Sequence, residues 1–247
     1  MFHDSLPDFT AIALIFLVAG AVKGILGLGL PTVALGLLGL VMPVPAAAAL
    51  MTVPSLVTNV WQAAVGPGLR ALLARTATLQ VGIVAGVLAA GVLLPEARDE
   101  FGRRLLGGCL VAYGLLGAMG RRLPPPPPRW EPLLGGLVGA TTGVVTAFTG
   151  VFVLPAVPYL QSLGLDKDAL TQALGIGFTT STLALAGLLA TRGHFGVAAS
   201  ASSALMVLPA LAGMWFGQQV RGWMSEAAFR RSFFFGLLAL GDWLLLR

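Results

Sequence analysis

Apolar runs recur along the whole chain, and that recurrence constrains the fold more than any other feature. Ten segments can be marked, at about 9–29, 32–42, 46–65, 77–94, 102–119, 133–149, 151–163, 168–190, 196–217 and 229–246. A helix rises about 1.5 Å per residue and a bilayer's hydrocarbon core is about 30 Å thick, so about 20 residues cross it. Most segments reach that length or come close, whereas 32–42 and 151–163 span roughly half of it. Runs such as Val81–Leu94 do not alternate in polarity, so the spanning strands of a β-barrel are a poor fit. The chain is 57% hydrophobic and only 10% charged, against roughly a quarter charged in soluble domains. The expected fold class is therefore all-α, a polytopic helical membrane protein.

The formal charge is +5, which raises nucleic acid as a partner. The distribution of the charge argues against it. Thirteen of the fifteen cations are Arg, and nearly all lie in short gaps between apolar runs, the pattern of positive charge that sets membrane topology. No nucleic-acid partner is expected, and the lipid bilayer is. Cys109 is the single cysteine, so no intrachain disulfide can form. The leading MFHDSLPDF has no Lys or Arg and no small-residue cleavage site, so the first apolar run is expected to stay in the mature protein.

The stretch Ala19–Pro45, AGAVKGILGLGLPTVALGLLGLVMPVP, is apolar yet carries one lysine, six glycines and three prolines. Membranes admit such a broken backbone only where it is buried in protein or lines a cavity. A fainter copy runs from Gly139 to Pro158. Between the halves, RRLPPPPPRWEP forms a stiff, extended connector, because five consecutive prolines cannot continue a helix. The expected division is a first membrane repeat at 1–120, a proline-rich linker at 121–132 and a second repeat at 133–247. Gly20, Ala21 and Gly24 match Gly139, Ala140 and Gly143; Thr52, Ser55, Asn59 and Gln62 match Gln172, Gly175, Thr179 and Thr182. The layout predicts two inverted repeats of about five segments each, with a short or broken helix second in each half; an odd number of spans per half inserts the halves in opposite orientations. Ten crossings place nine cations on the side of Arg70 and Arg75 and five on the other, leaving out Lys23. Fusing each short segment with its neighbour gives four spans per half and seven cations on each side.

Lys23 is the only cation away from the ends of a predicted span. Burying it near a helix centre costs about 2.5–3.5 kcal/mol on insertion scales. It can serve as the electrostatic partner of an anion, snorkel to the interface, or bind carbonyls freed by the break. Gly24, Gly27 and Gly29 before Pro31 permit a helix break, and the half-helix that follows would offer an N-terminus to an anion; Thr146, Thr149 and Gly150 hold the equivalent place in the second half. Tight packing through small residues is the competing explanation. Thr52, Ser55, Asn59 and Gln62 fall within about 80° of one another on a helix, and Gln172, Thr179 and Thr182, with Thr180 and Ser181 beside them, make the matching stripe. Such stripes are interhelical glue or the lining of a polar path. Pro54 is expected to kink its helix and expose carbonyls. His3 and His194 form no metal pair, Asp242 is the only carboxylate in a span, and no HExxH or GxSxG pattern lies in a span. No enzyme, metal or cofactor is expected.

AGAVKGILGLGLPTVALGLLGL resembles the first-half glycine motif of the sulfite exporter TauE/SafE family, and GVFVLPAVPYLQSLGLDKDALTQALGIGFTTSTLALAG resembles a second-half motif of one branch of it. Lys23, Gly24, Gly27, Gly29, Pro155, Pro158 and Tyr159 match motif residues by position. The resemblance implies a duplicated helical transporter of the bacterial inner (cytoplasmic) membrane, handling small sulfur oxyanions, sulfonates and related organic anions. The residues expected to bind the small anionic substrate are Lys23, Gly27, Gly29, Asn59, Gln62, Thr149, Tyr159, Thr179 and Thr180. Transport by alternating access is the leading expectation, export being driven by the membrane potential. An anion channel and a non-transporting scaffold are the alternatives. A homodimer is carried as an option for assembly.

Overall fold

The computed structural model describes residues 9–66, 68–93, 99–120, 123–221, 223 and 225–246. Within them the regular structure is helical: α1 (Phe9–Leu26), α2 (Leu30–Leu38), α3 (Val44–Ala64), α4 (Leu69–Arg75), α5 (Ala77–Leu93), α6 (Asp99–Met119), a single 3₁₀ turn (Pro128–Trp130), α7 (Glu131–Thr149), α8 (Ala156–Ser162), α9 (Lys167–Thr191), α10 (Val197–Leu205), α11 (Val207–Val220) and α12 (Glu226–Leu246). Among the described residues, five helical stretches are long and apolar enough to cross a membrane, or six when α4 and α5, bent by 62°, are taken as one span. The chain is thus an all-α polytopic membrane protein. Leu123–Pro127 is without regular structure, as a run of prolines requires, and Arg121 and Arg122 of the linker lie outside the described residues.

Two segments differ from the sequence reading. The gap around Arg70 and Arg75 is helical, forming α4, and the run at 196–217 is divided at Met206 into α10 and α11. At Thr76 the hydroxyl donates to Leu72 O at 2.7 Å and accepts from Gln80 Nε2 at 3.2 Å, so the bend between α4 and α5 carries its own hydrogen bonds. The short second members are as expected. At about 1.5 Å per residue, α2 and α8 extend only about 14 and 10 Å, so neither crosses the core as a helix by itself.

Glycines set the closest helix pairs. Gly20 and Gly24 of α1 pack against Ala210 and Met214 of α11, and in return Gly213 and Gly217 of α11 pack against Leu17 and Ala21 of α1. Gly82 and Gly86 of α5 meet Gly139 and Gly143 of α7 in the same manner. At each of these positions a β-carbon would stand within 2.4 Å of a backbone oxygen of the facing helix; only Gly allows that approach. Four small-xxx-small motifs are thereby used two by two. Each pair joins a helix from before the linker to one from after it.

The same contacts give the helix directions. Partner numbers rise together in α1–α11 and α5–α7, which run parallel. Lys23 reaches Asn59 and Gly27 reaches Gln62, so α1 and α3 are parallel as well. Asn59 meets Thr182 while Ala63 meets Gln172, so α3 and α9 are antiparallel; Gly107 meets Gly241 while Gly117 meets Phe234, so α6 and α12 are too. Because α1 and α3 run the same way, α2 and the residues after it carry the chain back between them. One end of the bundle collects Arg75, Lys167, Arg221 and Arg230, since Gln172 at the start of α9 binds Gly68 beyond the end of α3.

Among the long helices α3 and α9 are the most enclosed. Pro54 lies inside α3 and has no N–H to give Leu50 O. Ser203 of α10 repairs that loss: its hydroxyl donates to Leu50 O at 2.7 Å and accepts from Val53 N at 3.0 Å. Ser203→Ala leaves a carbonyl without a donor and is expected to lower stability by about 1–3 kcal/mol. Ser202→Ala, at an exposed neighbouring position, is the matched control in a detergent melt, and equal melting of the two variants would rule the repair out.

Candidate functional site

The polar stripe of α3 faces inward as expected: Thr52, Ser55, Asn59 and Gln62 are all buried, and so is Thr58 beside them. Lys23 is buried at 4% exposure, so its ammonium does not snorkel. It turns into the bundle, donating to Thr58 Oγ1 at 3.1 Å and to Asn59 Oδ1. Thr58 is free to accept because its own proton goes to Pro54 O at 2.8 Å, a carbonyl of its own helix. Asn59 passes the connection on, its Nδ2 lying 3.4 Å from Thr182 Oγ1 on α9. Thr182 is fifteen residues into α9, roughly 22 Å along the helix, so the cluster sits well inside the bundle.

One turn nearer the cation-rich end, Gln62 Nε2 donates to Gly27 O at 3.0 Å and to Thr171 O at 2.9 Å. Gly27 (φ +75°) and Gly29 (φ +106°) adopt the left-handed backbone that breaks α1 from α2. Gln62 satisfies a carbonyl at that break and ties it to α9. Gly29 caps α2 among apolar atoms, Val22 and Phe233. Pro31 falls in the first turn of α2 as expected. Gln172 works as an interhelical clamp, its amide donating to Ala63 O and Gly66 O and accepting from Gly68 N.

The nine expected substrate residues thus separate into groups. Lys23, Gly27, Asn59 and Gln62 come together. Gly29 adjoins them through the break. Thr179 and Thr180 are half-buried, with hydroxyls turned to Gly175 O and Ile176 O of their own helix. Thr149 closes the end of α7, donating to Val145 O at 2.8 Å and accepting from Val151 N at 3.1 Å. Tyr159 stands apart at the cation-rich end, its hydroxyl donating to Glu131 O at 2.9 Å, where Arg75 also pairs with the Glu131 carboxylate at 2.7 Å. Thr58 was not singled out in the sequence. Its position beside Asn59 was the only signal, and its bond to Lys23 depends on how α1 docks on α3.

The electrostatics of the cluster are lopsided. The partners of Lys23 are neutral oxygens, and no carboxylate bonds it among the described residues. An ammonium has three donors, of which two are used. Gln62 Oε1, Ser55 Oγ and Thr32 Oγ1 are buried polar atoms with no partner among the described residues, and such atoms are uncommon in native interiors. No group of three or more His, Cys, Asp or Glu that could hold a metal ion occurs among the described residues.

A family profile described as Sulfite exporter TauE/SafE matches residues 12–243. The chain belongs to the TauE/SafE family. That match spans both broken stretches and nearly every helix, so the resemblance of the two glycine motifs extends over the whole bundle. Membership makes this a protein of a membrane-transporter family associated with anions, and with the all-helical fold it is consistent with a non-enzymatic transporter. No curated protein and no solved structure matches the chain.

Proposed function

We propose that this TauE/SafE protein carries small oxyanions, sulfite or organic sulfonates, across the bacterial cytoplasmic membrane by alternating access, with Lys23 as the charge that receives the substrate. The observation that carries the reading is the buried Lys23 ammonium held only by neutral oxygens. A buried charge is retained against its desolvation when a counter-charge offsets it, and here the substrate supplies that counter-charge. Asn59 and Thr58 orient the ammonium, and the unpartnered Ser55 hydroxyl is available as a further donor.

The helix directions support two inverted halves. Exchanging the halves pairs α1 with α7, α5 with α11, α3 with α9 and α6 with α12. The α1–α11 contact then maps onto α7–α5, while α3–α9 and α6–α12 map onto themselves as antiparallel pairs, as a two-fold axis in the membrane plane requires. In this arrangement Asn59–Thr182, Gln62–Thr171 and Gln172–Ala63 are polar bonds between halves. Rocking one half against the other exchanges them. The equivalent of Lys23 is Thr142, so one half alone supplies the cation. With the cation-rich end in the cytoplasm, a potential of about 100 mV, negative inside, drives a monovalent anion outward with roughly 2.3 kcal/mol.

The test is flux in proteoliposomes. Labelled sulfite or ethanesulfonate is expected to exchange against unlabelled anion with saturating kinetics, and to leave faster when the interior is made negative. Flux that grows linearly with concentration and shows no counterflow would replace the carrier with a channel. Absence of flux for every oxyanion, with binding lost as well, would leave a scaffold.

A further inference from the structure

At the cation-rich end a cavity of about 530 Å³ opens beside the α1 break, lined by Gly27, Thr171, Lys167, Arg221, Arg230 and Phe234 among others. Three cations line it, and no carboxylate among the described residues does. Asp166 and Asp168 flank Lys167 in sequence, yet neither reaches the wall; Asp166 caps α9 by accepting from Ala169 N at 2.8 Å. The remainder of the wall is largely leucine, with Tyr113. Lys23 does not line this space. Between the two stands Gln62, whose amide nitrogen bonds the carbonyls of Gly27 and Thr171, both lining residues, and whose oxygen is buried without a partner.

We propose that this vestibule is an outer anion-binding station, filled before the Lys23 station, and that the Gln62 amide is the latch between them. The inference rests on the reading of Lys23 as the inner substrate site. The ligand class is an oxyanion on a short apolar body: the head meets Lys167 and Arg230, and the body lies against leucine and Phe234. Cations near the mouth concentrate anions in a salt-dependent way, whereas the enclosed ammonium is screened far less. The two stations therefore differ in salt response as well as place. To pass inward the anion must part the α1 break from α9, and the bonds that hold those two together are the pair made by Gln62. The unpartnered Gln62 oxygen lets the amide give up that pair without breaking a third bond.

Calorimetric titration of the full chain in lipid nanodiscs with ethanesulfonate tests this. Wild type is expected to show a tight site that salt barely moves and a weaker one that salt suppresses. Lys167→Gln with Arg230→Gln should weaken the second by about tenfold and leave the first; Lys23→Met should do the reverse. A single site, lost in Lys23→Met and unaltered in the double variant, overturns the outer station while the inner one stands. Binding unaltered in Lys23→Met overturns both, as does a wild type that binds no ethanesulfonate. For the latch, Gln62→Ala should speed stopped-flow release from the inner site by about tenfold with affinity changed less than about threefold. Gln62→Asn, an amide one methylene shorter, serves if the alanine variant unfolds. Release at the wild-type rate in a folded variant overturns the latch.

Discussion

Exchanging Lys23 for methionine is expected to abolish anion binding at the Lys23 station, and with it transport, while the protein stays folded. Removing one member of a buried, hydrogen-bonded charge pair costs about 2–5 kcal/mol of affinity, a weakening of at least about 30-fold. Stability responds differently. The variant no longer buries a cation, which recovers about 2.5–3.5 kcal/mol. It leaves Asn59 Oδ1 without the Lys23 donor, a penalty of about 1–3 kcal/mol. The two nearly offset, so the detergent melt should move little or rise. A scaffold role makes the opposite forecast, a destabilised protein. Melting curves beside counterflow rates separate the two, and a sharp loss of stability with flux retained in the surviving protein would sink the substrate role of Lys23.

The second large effect is on assembly of the bundle. Gly24→Ala places a β-carbon 2.2 Å from Met214 O, a backbone atom of the facing helix. No rotamer relieves that clash, so α1 and α11 must separate, and the loss is expected at or beyond the top of the usual overpacking range, about 3 kcal/mol. Gly108→Ala is the control, since nothing lies within 4 Å of its added carbon and alanine favours a helix by about 1 kcal/mol over glycine. Gly217→Ala meets Ala21 O at 2.2 Å from the other side of the same contact. Combining it with Gly24→Ala should cost less than the sum, because helices already forced apart have little further to lose. Size-exclusion profiles and melting midpoints of the four variants measure this. A Gly24→Ala protein as stable as Gly108→Ala would show that the backbone approach is not what joins α1 to α11.

Glycine had two readings in the sequence, breaking a helix for a ligand and letting helices touch, and the structure assigns them to different residues of one motif. Gly20 and Gly24 serve contact with α11; Gly27 and Gly29, with positive φ, make the break. Spacing alone could not divide them, since a close approach depends on a partner nearly two hundred residues away. Thr149 and Tyr159 show the same limit. Their types suit anion binding, yet Thr149 closes its own helix and Tyr159 anchors the start of α7.

What the sequence determined by itself was most of what depends on local chemistry, α4 and the division at Met206 excepted. Long apolar runs require helices in a bilayer, Pro and Gly interrupt them where α2 and α8 turn out to be short, and the spacing of Thr52, Ser55, Asn59 and Gln62 requires a common face. Only the tertiary structure decided where those faces point. Lys23 meets Asn59 across 36 residues of chain, and Asn59 meets Thr182 across 123. Ser203 gives Leu50 O the donor that Pro54 lacks, across 153 residues of chain. Such bonds depend on helix direction and register, which the glycine contacts set by letting particular backbones, and no others, approach.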